Sequence, residues 1–270
     1  MNDPWIAALP MYDYPELAAS HSAFWGRVAD RLGAAVSDVP GTLTRTLSHF
    51  DIWRHPHLLL GQGCEYPLAK SFADCVQLVA TPRYAVPGCE EAHYRSAIVV
   101  RAEDPAETLA DLRQRRCAVN EPTSNSGMNL LRAAIAPVSR GGGFFDSIVL
   151  SGSHRASAEM VSRGAADVAA LDCVSYAHFQ RLYPSSVAGL RVLAWSDPSP
   201  SLPFITARTT GGATLLALRA ALTDVIADSS MEDVRKQLFL EGFDVAPADD
   251  FAAVLNLERR AVELGYPVLN

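Results

Sequence analysis

This sequence has few lysines and no net positive charge. Of the 23 basic residues only Lys70 and Lys236 are lysines, and 30 acidic residues set the formal net charge at −7. Binding to a nucleic acid needs a basic face that displaces counterions from the phosphates. We therefore expect no nucleic-acid partner.

The cysteine spacings and short motifs of common catalytic and metal centres are also missing. The five cysteines contain no CxxC pair, which favours buried thiols and leaves a disulfide between Cys64 and Cys89 as an open possibility. HExxH, GxSxG, SxxK and GxxxxGK[ST] are absent, and these motifs carry zinc, serine-nucleophile and phosphate-loop chemistry. We expect no metal and no cofactor, and we favour a function other than catalysis.

Long apolar runs are missing as well. No stretch of about 20 apolar residues could span a bilayer, and the opening MNDPWIAALPMYDYPE has neither the basic start nor the apolar segment of a signal peptide. The chain as written is expected in the cytoplasm, and in the periplasm if its true start or its export route differs.

What the sequence does contain is an alternation of strand and helix patterns. Short apolar stretches at 117–119, 147–150 and 167–171 are each followed by a helical pattern, which indicates βαβ units and a parallel sheet. Pro137 is expected to stop the helix that starts at Ser126. Further strands are predicted at 5–9, 57–63, 75–84, 94–104 and 189–195.

The order of these patterns predicts a discontinuous architecture. Residues 1–97 together with 200–270 are expected to form lobe 1, and 98–199 to form lobe 2. Hinge segments near 94–101 and 192–208 would cross between them. The predicted fold class is α/β, with a mostly parallel sheet flanked by helices in each lobe and a ligand cleft between the lobes.

Three turns at the ends of the middle strands carry polar residues. NEPTSNSG supplies Ser124, Asn125 and Ser126, SGSHRAS supplies His154, and LDCVSY supplies Asp172. Ligands of open α/β sheets bind at the carboxyl ends of strands, and helix starts favour anions. Each turn alone is more simply a helix cap. Their recurrence on consecutive units indicates a shared anion site.

Two segments carry a resemblance to a known family. YRSAIVVRAEDPAETLADLRQRRCAVNEPTSNSGMNLL and GSHRASAEMVSRGAADVAALDCVSY resemble the phosphonate/phosphate-type periplasmic substrate-binding proteins of ABC transporters. This resemblance implies a type II periplasmic-binding-protein fold, whose two α/β lobes enclose an oxyanion. It implies that anion oxygens are bound by Ser124, Asn125 and Ser126, that a further donor is His154, and that the ligand substituent faces Asp172.

The N-terminal match, HLLLGQGCEYPL, is looser. By the same resemblance, the cleft would also be lined by Tyr12, Gln62, Tyr66 and Tyr94. The implied partners are a small anionic ligand and an ABC transporter permease, and we expect a monomer. Asn125 stands where a phosphonate binder would have a small hydroxyl residue, which leaves phosphonate itself open.

Two other functions remain open at this stage. A cytosolic enzyme on the same scaffold, similar to chorismate dehydratase or to the pyrimidine synthases of thiamine biosynthesis, would use His154 or Asp172 for proton transfer. An intracellular ligand sensor is the other alternative, although we expect no helix-turn-helix segment in this sequence.

Overall fold

The structure, a computed structural model, describes residues 4–33, 35–245 and 252–270. It divides the chain into two compact units. The first takes the described residues up to Ala85 and those from Pro200 to Val245, and the second takes Val86–Ser199 and the residues from Ala252 to Asn270. Both units are therefore discontinuous in sequence, whereas only lobe 1 was predicted to be so.

The strands alternate with helices along most of the chain. In chain order the strands are β1 (Ile6–Ala8), β2 (Leu58–Gln62), β3 (Val76–Tyr84), β4 (His93–Tyr94), β5 (Ser96–Arg101), β6 (Arg116–Val119), β7 (Ser147–Leu150), β8 (Val168–Asp172), β9 (Leu190–Trp195), β10 (Ser199–Pro200), β11 (Phe204–Ala207) and β12 (Leu240–Asp244).

The helices include short 3-10 and π turns at Pro15–Leu17, Leu68–Phe72, Leu109–Leu112, Asn125–Asn129 and Ser229–Met231. The α-helices are α1 (Ala18–Leu32), α2 (His49–Arg54), α3 (Glu65–Pro67), α4 (Leu130–Ser139), α5 (His154–Ser162), α6 (Cys173–Leu182), α7 (Pro184–Val187), α8 (Gly212–Ala227), α9 (Glu232–Gln237) and α10 (Ala252–Glu263).

The first unit is built on a five-stranded sheet in the order β1-β2-β11-β3-β12. β1 and β2 are parallel, while β11 is antiparallel to both β2 and β3, and β12 is antiparallel to β3. The expected mostly parallel sheet is thus a mixed one here. The reason is that β11 and β12 come from the segment that returns to this unit, and they enter the sheet in the opposite direction.

Aromatic side chains fill the core of the first unit. The ring centroids of Phe24, Phe204 and Phe243 lie 5.0–6.3 Å apart, and those of Trp53 and Phe72 lie 5.3 Å apart. Aromatic pairs of this kind contribute more than their apolar area alone. The indole N–H of Trp53 also donates to the main-chain carbonyl of Gln62 at 3.1 Å, which fixes the end of β2.

The second unit has a five-stranded sheet in the order β7-β6-β8-β5-β9. β6 is parallel to β7 and β8, and β5 is antiparallel to β8 and β9. The three predicted βα strands, β7, β6 and β8, are therefore neighbours in this sheet and run in one direction. Their carboxyl ends meet at one edge of the sheet.

The last described segment completes the core of the second unit. Ala261 and Tyr266 are buried in the same apolar cluster as Leu131 and Ile135 of α4. The main-chain N–H groups of Phe144 and Phe145 donate to the carbonyl of Asn270 at 2.8 and 2.9 Å. The boundaries predicted for the lobes thus differ from the units in two places, since 86–97 and 252–270 pack with the second unit.

The helix that follows β6 does not stop at Pro137. Pro137 lies inside α4, which continues to Ser139 and ends at Arg140 in the left-handed conformation, with φ 58°. A proline in the last turn removes one intrahelical hydrogen bond but leaves the preceding turns intact. The start predicted at Ser126 agrees within one residue with the helical path, since a π turn over Asn125–Asn129 leads into α4.

Candidate functional site

The predicted anion site lies on the second unit, where β6, β7 and β8 end at the same edge. The turn after β6 carries Ser124 and Ser126, and α5 begins at His154 directly after the turn that follows β7. β8 ends at Asp172. Parallel pairing of β6 with both neighbours places the three turns side by side.

Two serine hydroxyls stand at the start of the helical run. Ser124 caps it, since its Oγ accepts a hydrogen bond from the main-chain N–H of Gly127 at 3.0 Å. Ser126 Oγ lies 3.5 Å from Ser124 Oγ, and both residues are buried. The start of a helix presents unpaired N–H groups and the positive end of the helix dipole. The hydroxyls therefore stand where an anion is favoured.

His154 extends this row of polar groups. Its Nε2 lies 2.8 Å from Ser126 Oγ, so the ring and the hydroxyl share one hydrogen bond. When Nε2 carries the proton, it donates to the serine oxygen and leaves the hydroxyl hydrogen available for another acceptor. Serine and histidine from two different turns are thus brought together as the sequence predicts.

The ring of His154 is neutral at pH 7. Burial lowers its pKa to about 4, and the nearby Ala170 carbonyl opposes this shift only in part. The residue as a whole is half-buried, but Nδ1 is enclosed and makes no hydrogen bond of good geometry with the described residues. His154 therefore acts here as a neutral polar group rather than a fixed positive charge.

The side chain of Asn125 turns into the protein. Its Nδ2 donates to the hydroxyl of Tyr94 at 3.1 Å and to Ser199 Oγ at 2.9 Å. Its Oδ1 accepts from Asn129 Nδ2 at 2.9 Å, and the residue is fully buried. Both amide hydrogens are engaged within the second unit, so the anion contact predicted for Asn125 would have to come from its main chain.

Sequence reasoning missed two partners in this network. Asn129 is the first, and its i, i+4 spacing from Asn125 could have predicted that the two side chains meet on one helix face. Asn129 is held in turn by Arg132, whose NH2 donates to Asn129 Oδ1 at 2.7 Å. Ser96 is the second, because its Oγ donates to the main-chain carbonyl of Ser126 at 2.9 Å. Asn129 and Ser96 thus fix the turn that carries Ser124, Asn125 and Ser126.

Gly127 is required by the close approach of two turns. A Cβ at this position would overlap Asn120 Oδ1 and lie 3.3 Å from His154 Cε1. Asn120 Oδ1 is itself enclosed without a hydrogen-bond partner among the described residues. Only glycine lets the helix start come this near to the neighbouring turn.

Asp172 occupies the third turn as a helix cap. Its Oδ1 accepts from the main-chain N–H of Ser175 at 2.8 Å at the start of α6, and the residue is 2% exposed. In the sheet it pairs with Ser96, whose hydroxyl holds the Ser126 loop. Asp172 therefore caps α6 and is connected, through its strand partner Ser96, to the turn that carries Ser126.

The predicted residues of the first unit form a separate group. Gln62 ends β2, and its Nε2 donates to the hydroxyl of Tyr84 at 2.9 Å and to the carbonyl of Leu202 at 3.1 Å. Tyr12 packs edge-on against Tyr84 with ring centroids 5.6 Å apart. Tyr66 is buried on α3. Tyr84, which was not among the predicted residues, joins Tyr12 and Gln62.

The described residues contain neither a candidate membrane span nor a candidate metal centre. No helix among them is long and apolar enough to cross a membrane. Within residues 4–33, 35–245 and 252–270, no group of three or more His, Cys, Asp or Glu side chains could hold a metal ion.

Two α/β units on mixed five-stranded sheets, with hydroxyls and an imidazole at a strand-to-helix edge, are typical of periplasmic binding proteins. A family model agrees. The chain belongs to the family described as "ABC transporter, phosphonate, periplasmic substrate-binding protein", whose model matches residues 6–251. The resemblance drawn from the sequence is confirmed. No curated protein matches the chain significantly.

Solved structures share the fold at low sequence identity. PhnD1 of Prochlorococcus marinus in complex with methylphosphonate is 14% identical with a TM-score of 0.74, over 96% of this chain and 98% of that one. A binding protein component of an ABC phosphonate transporter from Pseudomonas aeruginosa is 15% identical with a TM-score of 0.73, over 97% and 88%. A Xanthomonas citri protein bound to ATP is 14% identical with a TM-score of 0.71, over 97% and 98%.

Proposed function

We propose that this chain is a periplasmic solute-binding protein that binds a small oxyanion of the phosphonate or phosphate type. It would deliver this ligand to the membrane components of an ABC transporter, and it would act as a monomer. Membership of the family supports the transport role. The ligand class is supported by the site itself and by the related protein solved with methylphosphonate.

The observation that carries the proposal is the row of hydrogen-bonding groups formed by Ser124, Ser126 and His154. Ser126 Oγ lies 3.5 Å from Ser124 Oγ and 2.8 Å from His154 Nε2, at the start of a helical run. All three side chains are neutral at pH 7. Neutral donors together with a helix start suffice to bind an oxyanion.

Asp172 restricts which oxyanions fit. A carboxylate beside bound anion oxygens repels a fully ionised ligand. The ligand would therefore carry a protonated oxygen or an ammonium group where it meets Asp172. A singly protonated phosphonate or phosphate meets this condition, and so does an oxyanion with an amino substituent.

The other predicted contacts enter the proposal in a changed form. We propose that Asn125 contributes its main-chain N–H, since its amide hydrogens are donated to Tyr94 and Ser199. Tyr94 would contribute through its hydroxyl. For the first unit, ligand contacts by Tyr12, Gln62 and Tyr66 stay a prediction, which single substitutions of each residue can test.

Calorimetric titration of the purified chain tests the proposal. The probes are phosphate, methylphosphonate, 2-aminoethylphosphonate, sulfate and acetate, each at pH 7. We expect at least one phosphorus oxyanion to bind and the Ser126→Ala variant to bind it at least about tenfold more weakly. A hydrogen bond to a charged group contributes about 1.5–3 kcal/mol.

The matched control is Ser48→Ala in the first unit. Ser48 also caps a helix, since its Oγ accepts from the main-chain N–H of Asp51 at 3.2 Å. This variant should lose about 1 kcal/mol of stability and keep its affinity. Equal affinity in the Ser126→Ala variant and the unchanged chain would remove the helix start from the site. Binding of none of the phosphorus oxyanions would overturn the ligand class.

A further inference from the structure

Two cysteines of the second unit lie side by side although they are 84 positions apart in the sequence. Cys89 Sγ and Cys173 Sγ are 3.4 Å apart. Cys89 is half-buried, and Cys173 is almost fully buried as the first residue of α6. The disulfide left open by the sequence analysis joined Cys89 to Cys64. In the structure the sulfur that Cys89 meets belongs to Cys173.

The main chain around Cys89 is held in place. Its N–H donates to the carbonyl of Val86 at 3.1 Å. Shortly after it, Glu90 forms a β-bridge with His93. Gly88 has φ +94°, and a Cβ there would come within 2.6 Å of Trp195 Cζ3 and 3.0 Å of Cys173 Cβ. The turn therefore packs so closely on Cys173 that only glycine fits before Cys89.

The main chain around Cys173 is fixed as well. Its N–H donates to the carbonyl of Arg95 at 3.2 Å. The preceding residue, Asp172, pairs with Ser96 in the sheet and caps α6. Both sulfurs are thus carried by backbone that hydrogen bonds hold in position. The two sulfur atoms must still move from 3.4 Å to the roughly 2 Å of a disulfide bond, and the fixed main chain leaves this movement to the side chains.

We propose that Cys89 and Cys173 form a disulfide when the chain meets a thiol oxidant, either a small-molecule disulfide or a disulfide-donating protein. The bond would tie the segment that enters the second unit, from Val86 to Tyr94, to the start of α6. An oxidising compartment, as expected for a periplasmic family, supplies such donors. The inference does not depend on which ligand the chain binds.

The reaction proceeds in two balanced exchanges with a donor RSSR. The half-buried Cys89 thiol attacks RSSR, which forms Cys89–S–S–R and releases one RSH. The Cys173 thiol then attacks the Cys89 sulfur, which forms the Cys89–Cys173 bond and releases the second RSH. The two thiol protons end on the two RSH molecules, and the donor is reduced by two electrons.

The test uses the full chain and oxidised glutathione as the donor. The reduced protein is treated with it at pH 8, unfolded in guanidinium and alkylated, and its intact mass is measured. We expect three alkylated cysteines in place of five, and a peptide map that links Cys89 to Cys173. The oxidised protein should melt several degrees higher than the reduced one, since the bond closes a long loop.

The variants separate this pair from the other thiols. Cys89→Ser should leave four alkylated cysteines after oxidation, and the Cys64→Ser and Cys75→Ser controls should leave two. Cys89→Ser keeps the test valid if the buried Cys173→Ser variant fails to fold. Five alkylated cysteines, a link to any other cysteine, or a glutathione adduct that stays on Cys89 would each overturn the proposal.

Discussion

The two units place polar side chains at the ends of their strands in different ways. In the first unit, Gln62 donates both amide hydrogens to partners inside the protein, Tyr84 and Leu202. In the second unit, Ser124, Ser126 and His154 bond to one another at a helix start. A rotating hydroxyl can exchange a protein partner for a ligand, whereas a saturated buried amide cannot do so without loss.

The same contrast runs through the serine turn itself. Asn125 lies between Ser124 and Ser126, yet its amide is engaged with Tyr94, Ser199 and Asn129. By its hydrogen bonds Asn125 resembles Gln62 more than it resembles the serines beside it. The role of a residue is therefore set by the contacts that its polar atoms already make, and not by its position in a motif.

The largest effect is expected from Gly127→Ala. The new Cβ would displace Asn120 and crowd His154, so the helix start would shift away from its neighbouring turn. We expect a loss of affinity of about a hundredfold for the bound oxyanion and a loss of about 1–3 kcal/mol in the free energy of unfolding. Titration calorimetry and urea unfolding measure the two effects.

Gly142→Ala is the control for this change, because a Cβ at Gly142 meets nothing within 4 Å. It should change neither quantity by much. If Gly127→Ala kept full affinity, the close approach of the two turns would have no part in binding.

A second prediction compares Asn125 and Gln62, the two side-chain amides that donate both hydrogens inside the protein. Asn125→Ala and Gln62→Ala each leave buried donors or acceptors without partners, so each should lower the free energy of unfolding by about 1–3 kcal/mol. Urea unfolding checks this value. Relative to Ser126→Ala, both variants should lose more stability and less affinity. A Gln62→Ala variant with intact stability and much weaker binding would contradict the contrast between the units.

The smallest effect concerns pH. The folded pKa of His154, about 4, lies below its unfolded value of about 6.5. Between these two values the unfolded chain binds a proton that the folded chain does not, so stability falls as the pH falls. His154→Gln should therefore reduce the loss of stability between pH 7 and pH 5 by about 1–2 kcal/mol.

Urea unfolding of both proteins at the two pH values measures this difference. The buried His21 also has a lowered pKa, chiefly from burial, and it contributes equally to both proteins. An identical pH dependence in the variant would show that His154 titrates normally in the folded chain.

Much of the second unit was predictable from the sequence because its information is local. The strands β6, β7 and β8 and the turns after them follow from apolar runs that alternate with helical patterns. These patterns were enough to bring Ser126 and His154 to one edge. Local rules failed at Pro137, where a proline in a last helical turn is tolerated by the helix around it.

The remaining features depend on contacts between distant segments. The antiparallel entry of β5 and β11 and the saturation of Asn125 depend on which segments meet in three dimensions, as does the pairing of Cys89 with Cys173. Periodic patterns in the sequence do not predict contacts between distant segments. The role of Tyr84, which joins Tyr12 to Gln62, was missed for the same reason.

The discontinuity of both units bears on how the chain folds during synthesis. The first unit lacks β11 and β12 until residues beyond 200 have emerged, and the second lacks α10 until those beyond 252 have done so. Neither core is complete without its late segment. Contacts between such distant parts of the sequence slow folding, because a long loop must close before they form.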